Sequence, residues 1–470
     1  MSEKRAEWSN QMVFILAATG SAVGLGNIWR FPYVTGENGG GAFVLVYLLC
    51  VFGIGLPIMV AELLIGRASR RSPAMAFERL AGKFGKYWKY IGWIGIFAAF
   101  FLSSYYSVIG GWTLYYIYKS FTWNMADLTK EHAITSFQQF TSDPNMQIFW
   151  TFIFIAIGVI VVLRGIKDGL EAFNKIFIPL LLVMIVLLVI NALTCKGAWE
   201  GLTFLFYPDF SKITPDVVLS AIGQAFFSLS VGMGAILTYG SYLHQRESLM
   251  NTTFVIVLLD SLVAILVGIA IFPVLFSFGM DPEAGPGLTF ITLPVAFSNF
   301  GNILGPILIT VFFMILAFAA LTSSISILEP VVAHFVDKEL ASRKIATIII
   351  GVLIFILSIP SALANGGHDI FSGKNFLGKN WMDFADFIVS DNLLLLGGFA
   401  MAMFVFFVVG RDIRRYEVRK FYNIWKTLLI IAAVAVAIIY LSGKRKPYMV
   451  YDSNYFINGY YLSSLYNRRY

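Results

Sequence analysis

Apolar runs long enough to cross a bilayer, about 20 residues each, recur along this chain. They lie near 11–35, 41–67, 88–120, 147–164, 173–194, 217–241, 250–278, 303–335, 343–360, 384–410 and 422–441. The pattern predicts eleven membrane-spanning helices. The polar segments between them carry alternating charge. Arg67, Arg70, Arg71, Arg79, Lys83, Lys86 and Lys89 follow the second run, and Arg411, Arg414, Arg415, Arg419 and Lys420 follow the tenth. Both groups fall on the same side as Lys4 and Arg5, which makes that side cytoplasmic by the bias of basic residues toward inner loops. Longer loops at 121–146, 196–216 and 279–302 then lie outside. No linker or low-complexity block divides residues 1–441, so they form one transmembrane domain.

Composition agrees with a membrane setting. Of the 470 residues 58% are hydrophobic and 13% charged, and a soluble domain carries about twice that charge. The net charge of +7 does not point to nucleic acid, because the basic residues sit between apolar runs. Cys50 lies within one run and Cys195 at the end of another, which makes a disulfide unexpected. Lys4 and Arg5 before the first run imitate a signal peptide. The run is too long for one and carries Asn27 and Arg30, so a retained helix is expected.

Two runs are interrupted. Gly20-Ser-Ala-Val-Gly-Leu-Gly-Asn-Ile-Trp-Arg-Phe-Pro32 crowds glycines, Asn27, Arg30 and Pro32 into the first. Lipid offers no partners to a broken backbone, so such a segment is tolerated only where protein or a water-filled cavity surrounds it. Freed carbonyls suit a cation and freed N–H groups an anion. The sixth run is broken at Ser228-Leu-Ser-Val-Gly-Met-Gly234. If spans one to five and six to ten are repeats, at about 8–195 and 215–410, each break falls in a leading helix. An odd number of spans per repeat inverts the second. Interrupted helices at matching places in two halves point to a transporter's binding site. The competing reading, glycines that only let helices pack closely, explains Gly and Ser but not Asn27 and Arg30. The helix near 422–441 is then additional. The tail 442–470 has no clear spanning run, and its structure is left open.

The motifs Gly24-Leu-Gly-Asn-Ile-Trp-Arg-Phe-Pro32, Glu37-Asn-Gly-Gly-Gly-Ala-Phe43, Phe290-Ile-Thr-Leu-Pro294 and Leu321-Thr-Ser-Ser324 stand in this order. On them the chain, over about residues 5–440, resembles the neurotransmitter:sodium symporters, within them the bacterial amino-acid transporters of the leucine-transporter type. The resemblance implies an all-α polytopic fold of two inverted five-helix repeats, with the first and sixth helices unwound in mid-membrane. It implies two sodium sites, which suit oxygen ligands. The second would use the carbonyls of Gly20, Val23 and Ala319 with the hydroxyls of Thr322 and Ser323. Those hydroxyls have a plainer alternative, bonding back to their own helix. The first sodium site would use the Ala22 carbonyl, Asn27, Ser228 and Asp260 together with the substrate's carboxylate. Asp260 is alone in an apolar run. A carboxylate at that depth is costly and calls for a partner. It stands near where other members hold a chloride, beside Tyr47, Gln224 and Ser261, so it is expected to supply that balancing charge. A protonated, purely structural aspartate is the alternative.

The substrate site is expected at Ala22, Gly24, Gly26, Leu102, Tyr106, Phe227, Ser228, Ser230, Met233, Ser323 and Ile327. A helix N-terminus at a break favours a carboxylate, Gly24 leaves room for it, and Tyr106 would donate to it. The rest is mostly apolar and uncharged, which suits a hydrophobic amino-acid side chain. Ordinary helix packing is the competing account of Leu102, Met233 and Ile327. By resemblance the outer gate would pair Arg30 with Asp386, with Asp383 as runner-up, and Phe227 would act as a lid. The inner gate would join Arg5 and Trp8 to Ser241, Tyr242 and Asp337. Gly169 and Pro179 would let the fifth helix unwind, since proline cannot close the normal backbone bond.

The expected function is sodium-driven import of a neutral hydrophobic L-amino acid by alternating access, independent of chloride. No organic cofactor, nucleic acid or obligate protein partner is expected, and no enzyme motif is present. The expected location is a bacterial-type plasma membrane with the N-terminus inside. The alternative is a sensor of the same fold that binds without transporting.

Overall fold

The computed structural model describes residues 7–123, 128–244, 247–282 and 287–442. Among these, regular structure is helical apart from one isolated bridge between Phe376 and Lys379. Nine helices of the described residues are long and apolar enough to cross a membrane. Gln11–Ala22 and Gly26–Glu37, bent by 51°, make a tenth span if taken as one. The remaining expected span, near 217–241, consists of Pro215–Ser228 and Ala235–Gly240, each too short to cross alone. The fold is thus an all-α polytopic bundle with its first and sixth spans interrupted.

The prolines explain several irregular turns. Widened, π-type turns at Gly26–Arg30, Val51–Gly55 and Leu288–Thr292 run up to Pro32, Pro57 and Pro294. Proline has no N–H for the carbonyl one turn back, and its ring crowds that carbonyl. A widened turn moves the carbonyl clear and lets the helix continue.

The sixth-span break has a different origin. Ser230, Gly232 and Gly234 have φ of 53°, 95° and 79°, a left-handed region where only glycine is at ease. Gly232 also lies against the Trp381–Phe407 helix, where an added Cβ would stand 2.1 Å from the Leu394 carbonyl oxygen. From the other side, Gly397 faces the Gly232 carbonyl, with 2.0 Å left for a Cβ. Backbone meets backbone here.

The two broken spans sit at the centre. Gln11–Ala22 packs on Ile166–Leu193, Leu249–Ser277 and Gly301–Asp337, and Ala235–Gly240 packs on Gly41–Ser69. Trp8, Trp29 and Trp112 are among the largest fully buried side chains.

The segments read as outer loops are not featureless. They hold the helices Lys130–Ser142, Ala198–Phe206 and Leu288–Ser298. A spanning-length criterion misses elements this short; Lys130–Ser142 and Ala198–Phe206 are buried on one side, and Leu288–Ser298 is buried almost throughout. Gly169 lies in a widened turn, Ile166–Glu171, and Pro179 sits inside an intact helix, Ala172–Leu193. The span is wound in this conformation. The tail beyond Ser442 lies outside the described residues.

Candidate functional site

Breaking the first span diverts two backbone donors. In a continuous helix the N–H groups of Gly24 and Leu25 would bond the carbonyls of Gly20 and Ser21. Here Gly24 donates to Asn27 Oδ1 at 3.2 Å and Leu25 to the Tyr106 hydroxyl at 3.3 Å. The released carbonyls gather around Ser323. Its Oγ lies 3.3 Å from the Gly20 oxygen, 3.1 Å from that of Ser21 and 3.3 Å from that of Val23. One hydroxyl proton serves only one of the three. The Ser230 hydroxyl also donates to the Ser21 oxygen, at 2.9 Å, so two hydroxyl protons face three carbonyls; the cluster is richer in lone pairs than in donors, a set that fits a hard cation. Thr322 is buried next to it and its hydroxyl back-bonds to the Ala319 carbonyl at 3.0 Å. The residues expected at the second sodium site thus lie together, with Thr322 in its plainer hydrogen bond.

The residues expected at the first sodium site also meet. Asp260, fully buried, accepts from Asn27 Nδ2 at 2.8 Å through Oδ1 and from the Ser228 hydroxyl at 2.9 Å through Oδ2. The one carboxylate thereby bridges the two broken spans. Tyr47 donates to Ser228 at 3.2 Å. Gln224 turns elsewhere, donating to the Gly26 carbonyl at 2.7 Å. Ser261 back-bonds to Val257. Of the expected companions of Asp260, Tyr47 reaches it through Ser228, while Gln224 and Ser261 bond to backbone carbonyls.

A cavity lies between these clusters. Its wall is Ala22, Gly24, Leu25, Gly26, Leu102, Tyr106, Phe227, Ser230, Met233, Ser323 and Ile327. Ser228, expected on the wall, faces Asp260 instead, and Leu25 takes part in its place through backbone. The wall carries no ionisable group other than the Tyr106 phenol. Its free volume of ≈ 10 Å³ is about the space of one water, so the elements are closed around the site. Gly24 is required by space, since a Cβ there would stand 2.4 Å from Ser323 Oγ and 2.9 Å from the Tyr106 oxygen.

Above the cavity the guanidinium of Arg30 lies 4.6 Å from the centre of the Phe227 ring. Phe227 thus separates Arg30 from the cavity. Asp386 is buried and accepts from Tyr105 at 2.9 Å and Ser390 at 2.7 Å. Arg30 and Asp386 both act electrostatically on Tyr33 and Tyr105. Asp386 therefore shares the surroundings of Arg30. Asp383 is buried nearby in the chain and bonds through its N–H to Asn380.

At the other end, Trp8 donates from its ring to the Tyr239 carbonyl at 3.0 Å and from its backbone to the Tyr242 carbonyl at 3.2 Å. The Ser241 hydroxyl back-bonds to Thr238, and Asp337 accepts from the Ser72 backbone at 2.6 Å. Arg5 lies outside the described residues.

Several buried carboxylates were not singled out in the sequence. Glu62 accepts from the Gly232 N–H at 2.5 Å and the Leu237 N–H at 3.3 Å, and so ties down the sixth-span break. Glu329 receives the Tyr242 hydroxyl at 2.7 Å and two nitrogens of Arg343 at 3.0 and 2.5 Å. Glu171 accepts the Ser9 N–H and hydroxyl at 2.7 and 2.8 Å. Each lies in or beside an apolar run, and the cost of a lone carboxylate that drew notice to Asp260 applies to them as well. Asn174 is a further case. Its Oδ1 has no hydrogen-bond partner among the described residues and would meet a Cβ on Gly20 at 2.1 Å.

The model of the sodium:neurotransmitter symporter family matches residues 5–147 and 133–412. An uncharacterized sodium-dependent transporter of Bacillus subtilis, YhdH, is 36% identical over 451 residues, covering 94% of this chain and 98% of its own. The sodium- and chloride-dependent GABA transporter ine of Drosophila melanogaster is 26% identical, over 78% of this chain and 44% of its own. The crystal structure of MhsT in complex with L-phenylalanine superposes with a TM-score of 0.86 at 43% identity, covering 93% of this chain and all of that one. The interrupted first and sixth spans, the oxygen clusters beside them and this shared sequence lead to one conclusion: the chain belongs to the sodium:neurotransmitter symporter family and is a sodium-dependent membrane transporter.

Proposed function

We propose that the protein imports a neutral hydrophobic L-amino acid, aliphatic or aromatic, with sodium by alternating access and without need of chloride. The observation that carries this reading is the cavity wall. At one edge the Leu25 N–H meets the Tyr106 hydroxyl at 3.3 Å, a pair suited to a carboxylate. The opposite wall of Leu102, Phe227, Met233 and Ile327 is apolar and suits an uncharged side chain. Support also comes from MhsT, 43% identical and solved with L-phenylalanine.

Two sodium ions are proposed. Gly20, Val23, Ala319, Thr322 and Ser323 hold one; Ala22, Asn27, Ser228 and Asp260 hold the other with the substrate's carboxylate. Bound there, sodium supplies positive charge that steadies both breaks. Asp260 provides the negative charge for which chloride-dependent relatives draw on a mobile ion. Arg30 with Asp386 closes the outer side over Phe227, and Trp8, Ser241, Tyr242 and Asp337 with Arg5 close the inner side. Gly169 and Pro179 mark where the fifth span opens to release the second sodium. Residues 8–195 and 215–410 are the two repeats of one domain. The N-terminus is cytoplasmic, and the membrane is a bacterial-type plasma membrane. No organic cofactor or protein partner is needed.

The test is uptake by purified protein in liposomes, with labelled amino acids and an imposed sodium gradient. Uptake that collapses with the gradient and is competed by leucine, tyrosine or tryptophan is expected. Stronger competition by lysine or glutamate, or uptake indifferent to sodium, overturns the reading.

A further inference from the structure

A second cavity, of ≈ 290 Å³, lies between the helix Trp381–Phe407 and the helix Tyr422–Ser442. Two stripes at helical spacing build it: Phe399, Ala402 and Phe406 on one helix, and Leu429, Ala433 and Ala437 on the other. Ala402 and Ala433 are buried, whereas Phe407 and Val434, also on the wall, are 67% and 52% exposed. The groove therefore has a small-residue floor and opens to the outside of the bundle, where lipid lies. Trp425 fixes the second helix from its other side by donating to the Pro57 carbonyl at 3.0 Å.

One end of this groove is cationic. The Lys426 ammonium and the Arg414 guanidinium stand 5.7 and 5.8 Å from the centre of the Phe406 ring. Lys426 continues the stripe of Leu429 and Ala433 by one turn. Arg414 Nε is buried with no hydrogen-bond partner, and neither cation has an ion pair among the described residues. The nearest acids in sequence are Asp412 and Glu417, and Glu417 is already held by Arg67. An apolar slot headed by two unpaired cations is complementary to one kind of neighbour.

We propose that this groove is a binding site for an anionic phospholipid. One acyl chain lies along the alanine floor, and the phosphate meets Arg414 and Lys426. Long basic side chains at a helix end reach naturally to headgroup level while their stems cover apolar surface. A second copy of this chain fits the site less well. Related by a two-fold axis along the membrane normal, it would set the same cations against each other. Ser442, where the described residues end, is at the end of the helix opposite Lys426.

The test is native mass spectrometry of the purified full-length protein in a nonionic detergent. Dioleoyl phosphatidylglycerol is titrated against dioleoyl phosphatidylcholine. A basic residue near an anionic headgroup contributes about fivefold, so two contribute about 30-fold. Wild type is expected to prefer phosphatidylglycerol by that factor. Arg414→Gln with Lys426→Gln should bring the preference close to one. The charge-conserving pair Arg414→Lys with Lys426→Arg should keep most of it. Ala433→Phe, which fills the slot, should weaken both lipids together. Arg411→Gln with Arg415→Gln, on the same short helix, controls for general attraction and should change the preference far less. Unfolding temperatures of all variants show that they are folded.

Four results overturn the site. The first is an unchanged preference in Arg414→Gln/Lys426→Gln. The second is undiminished lipid adducts in Ala433→Phe. The third is an Ala433→Cys cross-link joining two copies in native membranes. The fourth is a rise in lipid binding on deleting residues 443–470. Lipid binding is read without uptake, so its failure is separate from any failure of the amino-acid assignment.

Discussion

The two interrupted spans meet the same difficulty, an open backbone within a membrane-spanning bundle, with opposite chemistry. At the first break, the donors of Gly24 and Leu25 go to Asn27 and Tyr106, and carbonyls are left crowded around Ser323. At the sixth, the Gly232 and Leu237 donors go to the carboxylate of Glu62, and glycine conformations provide the turn. The first break keeps acceptors in reserve, as an ion site needs. The sixth is fastened by the buried carboxyl group of Glu62, as a hinge that must keep its shape needs. Asp260 joins them, with one oxygen on Asn27 and the other on Ser228. A break in a helix is thus not in itself a site; what takes the released groups decides what it does.

The strongest way to break this contrast is Gly24→Asp. The new side chain starts 2.4 Å from Ser323 Oγ and sets a buried charge against the substrate's carboxylate, a misfit of about 3–5 kcal/mol. Amino-acid binding should vanish in a scintillation proximity assay. Binding that persists near wild-type affinity places the carboxylate elsewhere.

Next come paired losses at the two breaks. Glu62→Ala strands two buried N–H groups at about 1–3 kcal/mol each, so unfolding in detergent should move by about 2–6 kcal/mol. Thr322→Ala with Ser323→Ala removes two hydroxyls and should leave the fold within about 1–3 kcal/mol. It should weaken the sodium dependence of substrate binding by more than about tenfold, since bonds to a charged group are worth about 1.5–3 kcal/mol. If the Glu62 variant is as stable as wild type while the hydroxyl variant unfolds, the roles of the two breaks are reversed. Full sodium-coupled uptake by the hydroxyl variant removes the cation assignment.

Asp260, which touches both breaks, sharpens the comparison through chloride. Wild-type uptake should survive replacement of chloride by gluconate. Asp260→Asn should either lose transport or become stimulated by chloride, because charge brought into a low-dielectric site must be balanced. Wild-type uptake that stops without chloride assigns Asp260 a structural part only.

The smallest expected effect is on selectivity. Met233, from the sixth break, lies on the cavity wall, and methionine adapts to varied neighbours. Met233→Phe should shift competition toward smaller side chains by about tenfold. An unaltered competition profile means that Met233 does not contact the substrate.

Much of the fold was legible because bilayer physics writes itself into sequence. Apolar run length foretold the spans. Gly24, Asn27 and Pro32 foretold the first break, and Gly232 with Gly234 the sixth. The residues expected around the substrate, apart from Ser228, line one cavity together with Leu25. Glu62, Glu171 and Glu329 also lie in or beside apolar runs, and the cost of a lone carboxylate that marks Asp260 marks them equally. The helices within 121–146, 196–216 and 279–302 escaped for a physical reason: they are too short for an apolar-run criterion to register, and Ala198–Phe206 packs on Leu249–Ser277, far along the chain.

What the sequence by itself determined was local: which segments enter a membrane, where their backbone fails to close, and, by resemblance, the family. Only the tertiary structure decided where each released group goes. That Ser228 turns to Asp260, that Gln224 leaves for the Gly26 carbonyl, and that Glu62 holds Gly232 depend on helices far apart in the chain. Periodicity records which face of a helix is apolar, but a hydrogen bond is chosen among all the neighbours that packing brings within about 3 Å, and those neighbours are set by the bundle as a whole.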